Sequence, residues 1–407
     1  MKPREKMRVL IVSSHCERDD VGESFNAYKW IRALSKKCEV VLVTQYKSHS
    51  ERPSKQIPEA TVIEWHEFDW FRRFERFNAM AKPWYPYYYW RARREIKKLI
   101  ADGQQFDVMH HLIPIAVRYP NPCAGLGIPY IVGPLSGGLR TPEGFVEDVG
   151  KAPFYTRFRY SDSMRMRYDP LLRRSYSDAS LVLGAAPYLK DILSPISLKR
   201  FEVECEVGID ELAQNPEQRS PAGKPLRLLY VGRVIRTKGL RDAVRAIAHL
   251  PSECDVLLTA AGAGEDLDMC RQEAEKLGVA HKINFLGKVD RSEVERLYRT
   301  HDIFLFPSFR EPTGGVILEA MRYGLPVISS NVGGPGFLVT DESGIAVPAE
   351  NPEQMAADLS DAIVKVASDS TLRKRLGDGA RKRVEQVGLW ESKINRMIGY
   401  YEETAQL

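Results

Sequence analysis

Near the start of the chain, Val9-Leu10-Ile11-Val12 runs without a polar residue. A strand apolar at every position is buried on both faces, which happens when helices cover each side of a parallel sheet. A polar loop over residues 13–22 follows. Phe25, Tyr28, Ile31 and Leu34 then recur at helical spacing, and Val40-Val41-Leu42-Val43 forms a second apolar run. Strand, loop, helix and strand in that order make the βαβ unit of a parallel sheet. Further strands are expected at 108–110, 130–132 and 181–183.

The pattern restarts after residue 220. Strands are expected at 226–231, 255–259, 283–286, 303–306 and 327–330. Helices are expected between them at 240–250, 265–277, 291–300 and 315–322. Beyond Pro348 the pattern is helical to the end, including a basic stretch over 373–383. The segment 215–225, with three prolines and a glycine, reads as a linker. The expected fold is therefore α/β, with two doubly wound domains facing each other across a cleft. Ligands of such sheets bind outside the carboxyl ends of the strands, on the strand-to-helix loops.

A length of 407 residues suits two domains of about 200. No run reaches the ~18 apolar residues that a spanning helix needs. The apolar run at 8–13 is too short for a signal-peptide core. Secretion and a membrane anchor are not expected. Cysteines stand at 16, 38, 123, 205, 254 and 270 without metal-ligand spacing, so they read as reduced thiols of a cytoplasmic protein. The net charge of +5 is uneven: residues 1–210 hold 33 Lys+Arg against 26 Asp+Glu, and the remainder 26 against 28. An anionic partner is expected in the first half.

The segment Glu311-Pro312-Thr313-Gly314-Gly315-Val316-Ile317-Leu318-Glu319-Ala320-Met321 follows one buried run and opens a helix. Glycines there let the backbone approach a ligand, and the N–H groups and positive dipole of a helix start suit a phosphate. Glu319 suits the hydroxyls of a ribose. An ordinary helix start with solvated glutamates fits the same residues.

Two glutamates with seven residues between them, followed by Ala320-Met321 and Gly324-Leu325-Pro326-Val327-Ile328-Ser329, resemble the signature of retaining family 4 (group 1) glycosyltransferases. The resemblance implies the GT-B fold of two facing Rossmann-like domains. A second match, Tyr230-Val231-Gly232-Arg233-Val234-Ile235-Arg236-Thr237-Lys238-Gly239, resembles the loop in which that family holds the donor diphosphate. Arg233 and Lys238 would counter the charge that grows on the leaving diphosphate, and Arg236 takes the lesser role of a solvated cation. Phe106-Asp107-Val108-Met109-His110-His111 resembles the family's Asp-Val-x-His segment. It gives His110 the contact with the donor sugar, with His111 as the alternative. Val21-Gly22-Glu23-Ser24 resembles the glycine loop at the diphosphate, with one glycine instead of a run. Val207-Gly208-Ile209-Asp210 resembles the interdomain hinge. After Asn331-Val332-Gly333-Gly334 the family often has an acidic residue, and this chain has Pro335-Gly336-Phe337.

The resemblance implies domains at 1–207 (acceptor) and 226–385 (nucleotide sugar), a hinge and linker at 208–225, and a helical segment at 386–407. It implies a metal-independent retaining transferase without a cofactor, moving a sugar from a nucleotide-diphosphate donor, a UDP-sugar first, to an acceptor hydroxyl. The acceptor would be a glycan or lipid-linked molecule of glycan, exopolysaccharide or glycolipid synthesis. Catalysis would fall to Glu311, His110, Arg233 and Lys238, and donor binding to Gly22, Arg233, Lys238, Glu311, Gly314, Gly315 and Glu319. Asp266-Leu267-Asp268 is better explained by helix-dipole preference than by a metal. The rivals are another GT-B enzyme, such as a nucleotide-sugar epimerase, and a non-catalytic membrane or nucleic-acid binding protein. A pyridoxal enzyme lacks a candidate buried lysine in the sequence.

Phe68, Phe71, Phe74 and Phe77 recur every three residues before Trp84-Tyr85-Pro86-Tyr87-Tyr88-Tyr89-Trp90, and residues 70–98 hold nine Lys+Arg against two Asp+Glu. Residues 151–174 repeat the flavour. The pattern suits an anionic membrane, single-stranded nucleic acid, or core aromatics beneath a solvated basic face. The membrane is the expected partner through 68–98, on the inner face, and nucleic acid is not expected.

Overall fold

The computed structural model describes residues 6–47, 49–67, 82–150, 160–214 and 225–406. The expected linker at 215–225 and the four phenylalanines at 68–77 lie, for all but Pro225, outside the described residues. Contacts divide the chain into two units. The first comprises Met1–Gly138, Pro153–Glu206 and Lys393–Leu407, and the second Leu139–Ala152 and Val207–Ser392. The linear division read from sequence differs from this: 139–152 and Val207 belong to the second unit and 393–407 to the first.

The N-terminal unit holds a seven-stranded sheet of β1 (Arg8–Ser13), β2 (Glu39–Tyr46), β3 (Thr61–His66), β4 (Val108–Ile113), β5 (Tyr130–Leu135), β6 (Leu181–Gly184) and β7 (Phe201–Val203). Their order is β3-β2-β1-β4-β5-β6-β7, every pair parallel. The C-terminal unit holds β8 (Leu226–Val231), β9 (Val256–Ala261), β10 (Ile283–Gly287), β11 (Ile303–Phe306), β12 (Val327–Ser330) and β13 (Gly344–Val347). Their order is β10-β9-β8-β11-β12-β13, again parallel throughout. Each unit is thus a doubly wound α/β sheet, as the apolar runs require. In each, the order reverses between the first and fourth strand, and the loops on either side of that reversal bound the crevice where such sheets bind ligands.

The aromatic run after residue 82 is mostly core. Trp84, Tyr85, Tyr88 and Tyr89 are buried with Leu10, Val12, Val41 and Val43 of the sheet. They sit at the start of helix Tyr85–Ala101, which also buries Ile96 and Leu99. The outer stripe of that helix exposes Tyr87, Trp90, Arg94, Lys97 and Lys98, with Trp90 64% exposed. Arg93 does not join it. Its guanidinium donates to the carbonyls of Pro122 and Ala124 at 2.9 and 2.7 Å. Arg91 stacks 5.0 Å from the Trp65 ring and donates to Tyr87 Oη. Met164, Tyr168 and Leu171 are exposed on the neighbouring helices Tyr160–Tyr168 and Pro170–Ser177.

A buried ion cluster ties the last helix, Trp390–Ala405, to the end of β7. Lys393 has no solvent exposure and donates to Glu204 Oε1 at 3.3 Å and to the Cys205 carbonyl. Its ammonium also lies 4.6 Å from the Trp30 ring. Arg396 donates to both oxygens of Glu204 at 2.8 and 2.9 Å. A fully buried lysine was not foreseen from sequence, and its carboxylate partner explains how it is tolerated. Burial lowers its pKa, against the pull of Glu204. Replacing Glu204 by Ala leaves two cations without that carboxylate and should destabilise the protein by about 3–5 kcal/mol. Urea denaturation measures it, and a loss below about 1 kcal/mol would contradict the charge accounting.

Candidate functional site

The pairing of β11 with β8, Ile303 beside Leu228 and Phe304 beside Leu229, places their outgoing loops side by side. The loop after β8 carries Arg233 and Lys238, and the loop after β11 carries Glu311. Lys238 lies at the end of the 3-10 turn Arg236–Lys238, which Gly239 closes at φ +77°. A Cβ at Gly239 would stand 1.9 Å from the Pro307 carbonyl oxygen. The turn is therefore pressed against the β11 loop at a point where only glycine fits. Lys238 Nζ forms a short ion pair with Glu311 Oε2, and both side chains are largely buried, at 10% and 15% exposure.

Glu311 Oε1 accepts from the N–H groups of Thr313 and Gly314, each at 3.2 Å. Burial would raise the carboxyl pKa, but the charge and hydrogen bond of Lys238 and the two N–H donors outweigh it, and the pKa is lowered. The Gly314 N–H expected to face a phosphate is thus already engaged by Glu311. Helix Gly315–Arg322 follows. At its first two residues, Gly315 and Val316, no N–H bond is recorded among the described residues. Glu319 is exposed on that helix and accepts from Tyr298 Oη at 3.2 Å. Arg233 is exposed, and no described residue forms an ion pair with it. The structure therefore gathers Lys238, Glu311 and the helix start at one end of the sheet, with Arg233 on the same loop as Lys238.

Arg236 is not the solvated cation the sequence suggests. It is buried and donates to Asp242 at 2.5 and 2.9 Å and to Asp148 at 3.0 and 2.6 Å. Its guanidinium lies 5.5 and 5.1 Å from the Phe145 and Phe309 rings. Asp266 and Asp268 do not act together either. Asp266 is buried and paired with Arg241, whereas Asp268 is exposed and pairs with Arg271 at 3.5 Å.

In the N-terminal unit, Gly22 opens helix Glu23–Ser35 with φ +66° and no neighbour near a Cβ. Backbone conformation, not close approach, demands glycine there. His110 departs from expectation. Its ring has no exposed surface. Nε2 donates to the Gly133 carbonyl at 2.6 Å, and Nδ1 accepts from Tyr401 Oη at 2.6 Å. Burial lowers its pKa to about 4, against the Gly133 bond. A neutral histidine with both nitrogens engaged has none left for a sugar, so that role is not carried forward. The adjacent His111 is 2% exposed with an unpartnered Nε2. Burial, then the neighbouring His110, lowers its pKa to about 3.

Gly208 of the expected hinge packs against the Trp390 indole, 2.8 Å from a would-be Cβ. The division between units falls one residue earlier than expected, between Glu206 and Val207.

Residues 213–383, which include both loops, match the family glycosyl transferases group 1. This matched stretch is similar to the group 1 glycosyltransferases. It contains Arg233, Lys238, Glu311 and Glu319. A curated relative, glycosyltransferase MJ1607 of Methanocaldococcus jannaschii, is 33% identical over 176 residues, 43% of this chain and 44% of that protein. The chain spans about half the length of the curated relatives it matches. Among solved structures, the lipopolysaccharide outer core galactosyltransferase WaaB superposes with a TM-score of 0.66 at 14% identity, over 97% of this chain and 98% of that one. Anabaena Alr3699/HepE in complex with UDP superposes with a TM-score of 0.63 at 14% identity, over 98% and 100%. These likenesses show the GT-B fold.

The lowered Glu311 pKa sets the sign of a pH effect. A carboxyl held below its ordinary value of 4.5 stabilises the fold above that value and loses this contribution as pH falls through the lower, folded value. Relative to a Glu311→Gln variant, the wild type should therefore lose thermal stability as pH drops below 4.5. A difference in midpoint that stays constant across that range would contradict the pairing.

Proposed function

We propose that the chain is a retaining glycosyltransferase that moves a sugar from a nucleotide-diphosphate donor, a UDP-sugar before a GDP-sugar, to an acceptor hydroxyl. The observation that carries this is the buried Lys238–Glu311 pair at the strand reversal of the stretch similar to the group 1 glycosyltransferases. A lysine and a glutamate that hold each other beside a helix start are a latent site for a ligand with both negative charge and hydroxyls. On donor binding, Lys238 turns to the diphosphate and Glu311 to the sugar hydroxyls. Arg233 supplies a forked contact to the same phosphates, the Gly315 N–H a further donor, and Glu319 an acceptor for the ribose.

Cleavage of the glycosyl–phosphate bond puts negative charge on the leaving diphosphate, and two cations placed against it lower the barrier to that step. A donor phosphate oxygen takes the acceptor's proton, so the protein contributes positioning and electrostatics. With Arg233 and Lys238 in this role, no divalent ion is required. The UDP held by the fold neighbour HepE and the galactosyltransferase name of WaaB support a nucleotide-sugar donor and a glycan acceptor here.

Purified protein should slowly release nucleoside diphosphate from its nucleotide sugar and do so faster with acceptor. Lys238→Ala and Arg233→Ala should each cost on the order of 10²–10³ in turnover, the scale of losing one partner of a transition-state charge. Glu311→Ala and Glu319→Ala should also impair turnover, and exhaustive treatment with EDTA should leave the wild type active. Near-wild-type turnover in all four variants would sink the site assignment. Activity lost with EDTA and restored by magnesium would overturn metal independence alone.

We further propose that the acceptor is lipid-linked and that the outer stripe of helix Tyr85–Ala101 meets an anionic membrane. Trp90 and Tyr87 are interfacial residues, and Arg94, Lys97 and Lys98 add about 1 kcal/mol each near an anionic leaflet. Co-sedimentation with anionic vesicles at low salt should be lost at high salt, with neutral vesicles, and in a variant carrying Arg94→Gln, Lys97→Gln and Lys98→Gln. Arg93 is left in place because it holds Pro122 and Ala124. Protein that stays in the supernatant with anionic vesicles at low salt would point to a soluble acceptor.

A further inference from the structure

The crossover segment 139–150 comes from the first half of the sequence yet packs within the C-terminal unit. Its contacts converge on the two loops of the candidate site. Asp148 pairs with Arg236 at 2.6 Å, and Arg236 opens the turn that ends in Lys238. Phe145, fully buried, stacks on Phe309 with ring centroids 4.1 Å apart, and Phe309 lies two residues before Glu311. Thr141 accepts from Arg310 at 2.8 Å. A Cβ on Gly144 would meet the Glu350 carbonyl oxygen at 2.2 Å, so the segment lies flush on the unit at that point. One short segment thus grips the loop of the cation and the loop of the carboxylate.

We propose that residues 139–150 act as a clamp that sets the position of Lys238 against Glu311, with Asp148 and Phe145 as positioning residues. The clamp acts through Arg236. Asp242, wholly buried and on the unit's own helix Leu240–Ala248, anchors one side of the Arg236 guanidinium. Asp148 and the Phe145–Phe309 pair hold the rest. The other charged groups facing this cluster are Arg245, 3.7 Å from both Asp148 and Asp242 and 2.6 Å from Glu273, and Arg241, which is paired with Asp266 and also attracts Asp148. Removing Asp148 therefore leaves Arg236 with Asp242 and Asp242 with two cations. The turn loses its grip on one side without losing its anchor, so the fold survives while Lys238 gains freedom. Preorganisation of this kind decides how well a point charge meets a phosphate.

The inference rests on the proposed donor role of Lys238 for its functional consequence, but its structural half does not. Two readouts on the full-length protein separate them. Hydrogen exchange of the Asp148→Asn and Phe145→Ala variants should speed up at least about threefold in peptides covering 234–240, with strands β8 and β11 unchanged. Affinity for UDP or GDP, whichever the wild type binds, should fall about tenfold in Asp148→Asn, while affinity for the matching monophosphate stays within about twofold. A merely structural defect would lower both affinities together.

Unchanged exchange at 234–240 in both variants would overturn the clamp. So would faster exchange with equal loss of mono- and diphosphate binding, or with no loss of either. A wild type that binds neither diphosphate defeats the donor reading instead, and the exchange data then decide the clamp by themselves.

Discussion

The parallel pairing of β8 with β11 is the constraint on which the candidate site depends. It reverses the strand order of the six-stranded sheet and brings Lys238 to Glu311, 73 positions away in sequence. Burial of two opposite charges is costly unless their geometry and remaining hydrogen bonds are good. Here the carboxylate is met by the ammonium on one oxygen and by two backbone N–H groups on the other. An apolar pair would join the two loops at lower electrostatic cost. The retention of a desolvated ion pair at the mouth of the sheet is the arrangement expected of a site built to exchange partners with a ligand.

Much of the fold was legible in the sequence because a buried parallel strand leaves a local mark. Runs such as Val9 to Val12 in the first sheet and Leu228 to Val231 in the second mark ten of the thirteen described strands, but not β3, β7 or β13, and the restart after residue 220 gives the second unit. The loops at the strand ends were legible for the same reason, since the glycines and charges of 230–239 and 311–319 stand directly after apolar runs. What was hidden depends on partners distant in sequence. His110 and His111 are indistinguishable as letters. Only the neighbours Gly133 and Tyr401, the latter near the end of the chain, show that His110 is a core residue with a full set of bonds.

Arg236 shows the same limit. Beside Arg233 and Lys238 it reads as one more loop cation, yet Asp148 and two phenylalanines from separate segments make it a buried strut. Lys393 is similarly unreadable without Glu204 and Trp30. The basic aromatic region mixes both situations. Ile96 and Leu99 face inward from the same helix, and Arg93 spends its charge on backbone carbonyls. The surface stripe is smaller and more aromatic at one end than composition alone suggests.

The central claim is that the loops after β8 and β11 form a donor site for a nucleotide sugar, with Lys238 on its diphosphate. The most direct measurement is a thermal-shift panel of UDP-, GDP- and ADP-sugars on wild type and Lys238→Ala. A cognate donor at 100 times its dissociation constant should stabilise the wild type by about 2.7 kcal/mol. The account predicts a clear rise in midpoint for at least one donor and its near disappearance in Lys238→Ala. A panel that leaves the wild type unmoved, or a donor that stabilises both proteins equally, would contradict it.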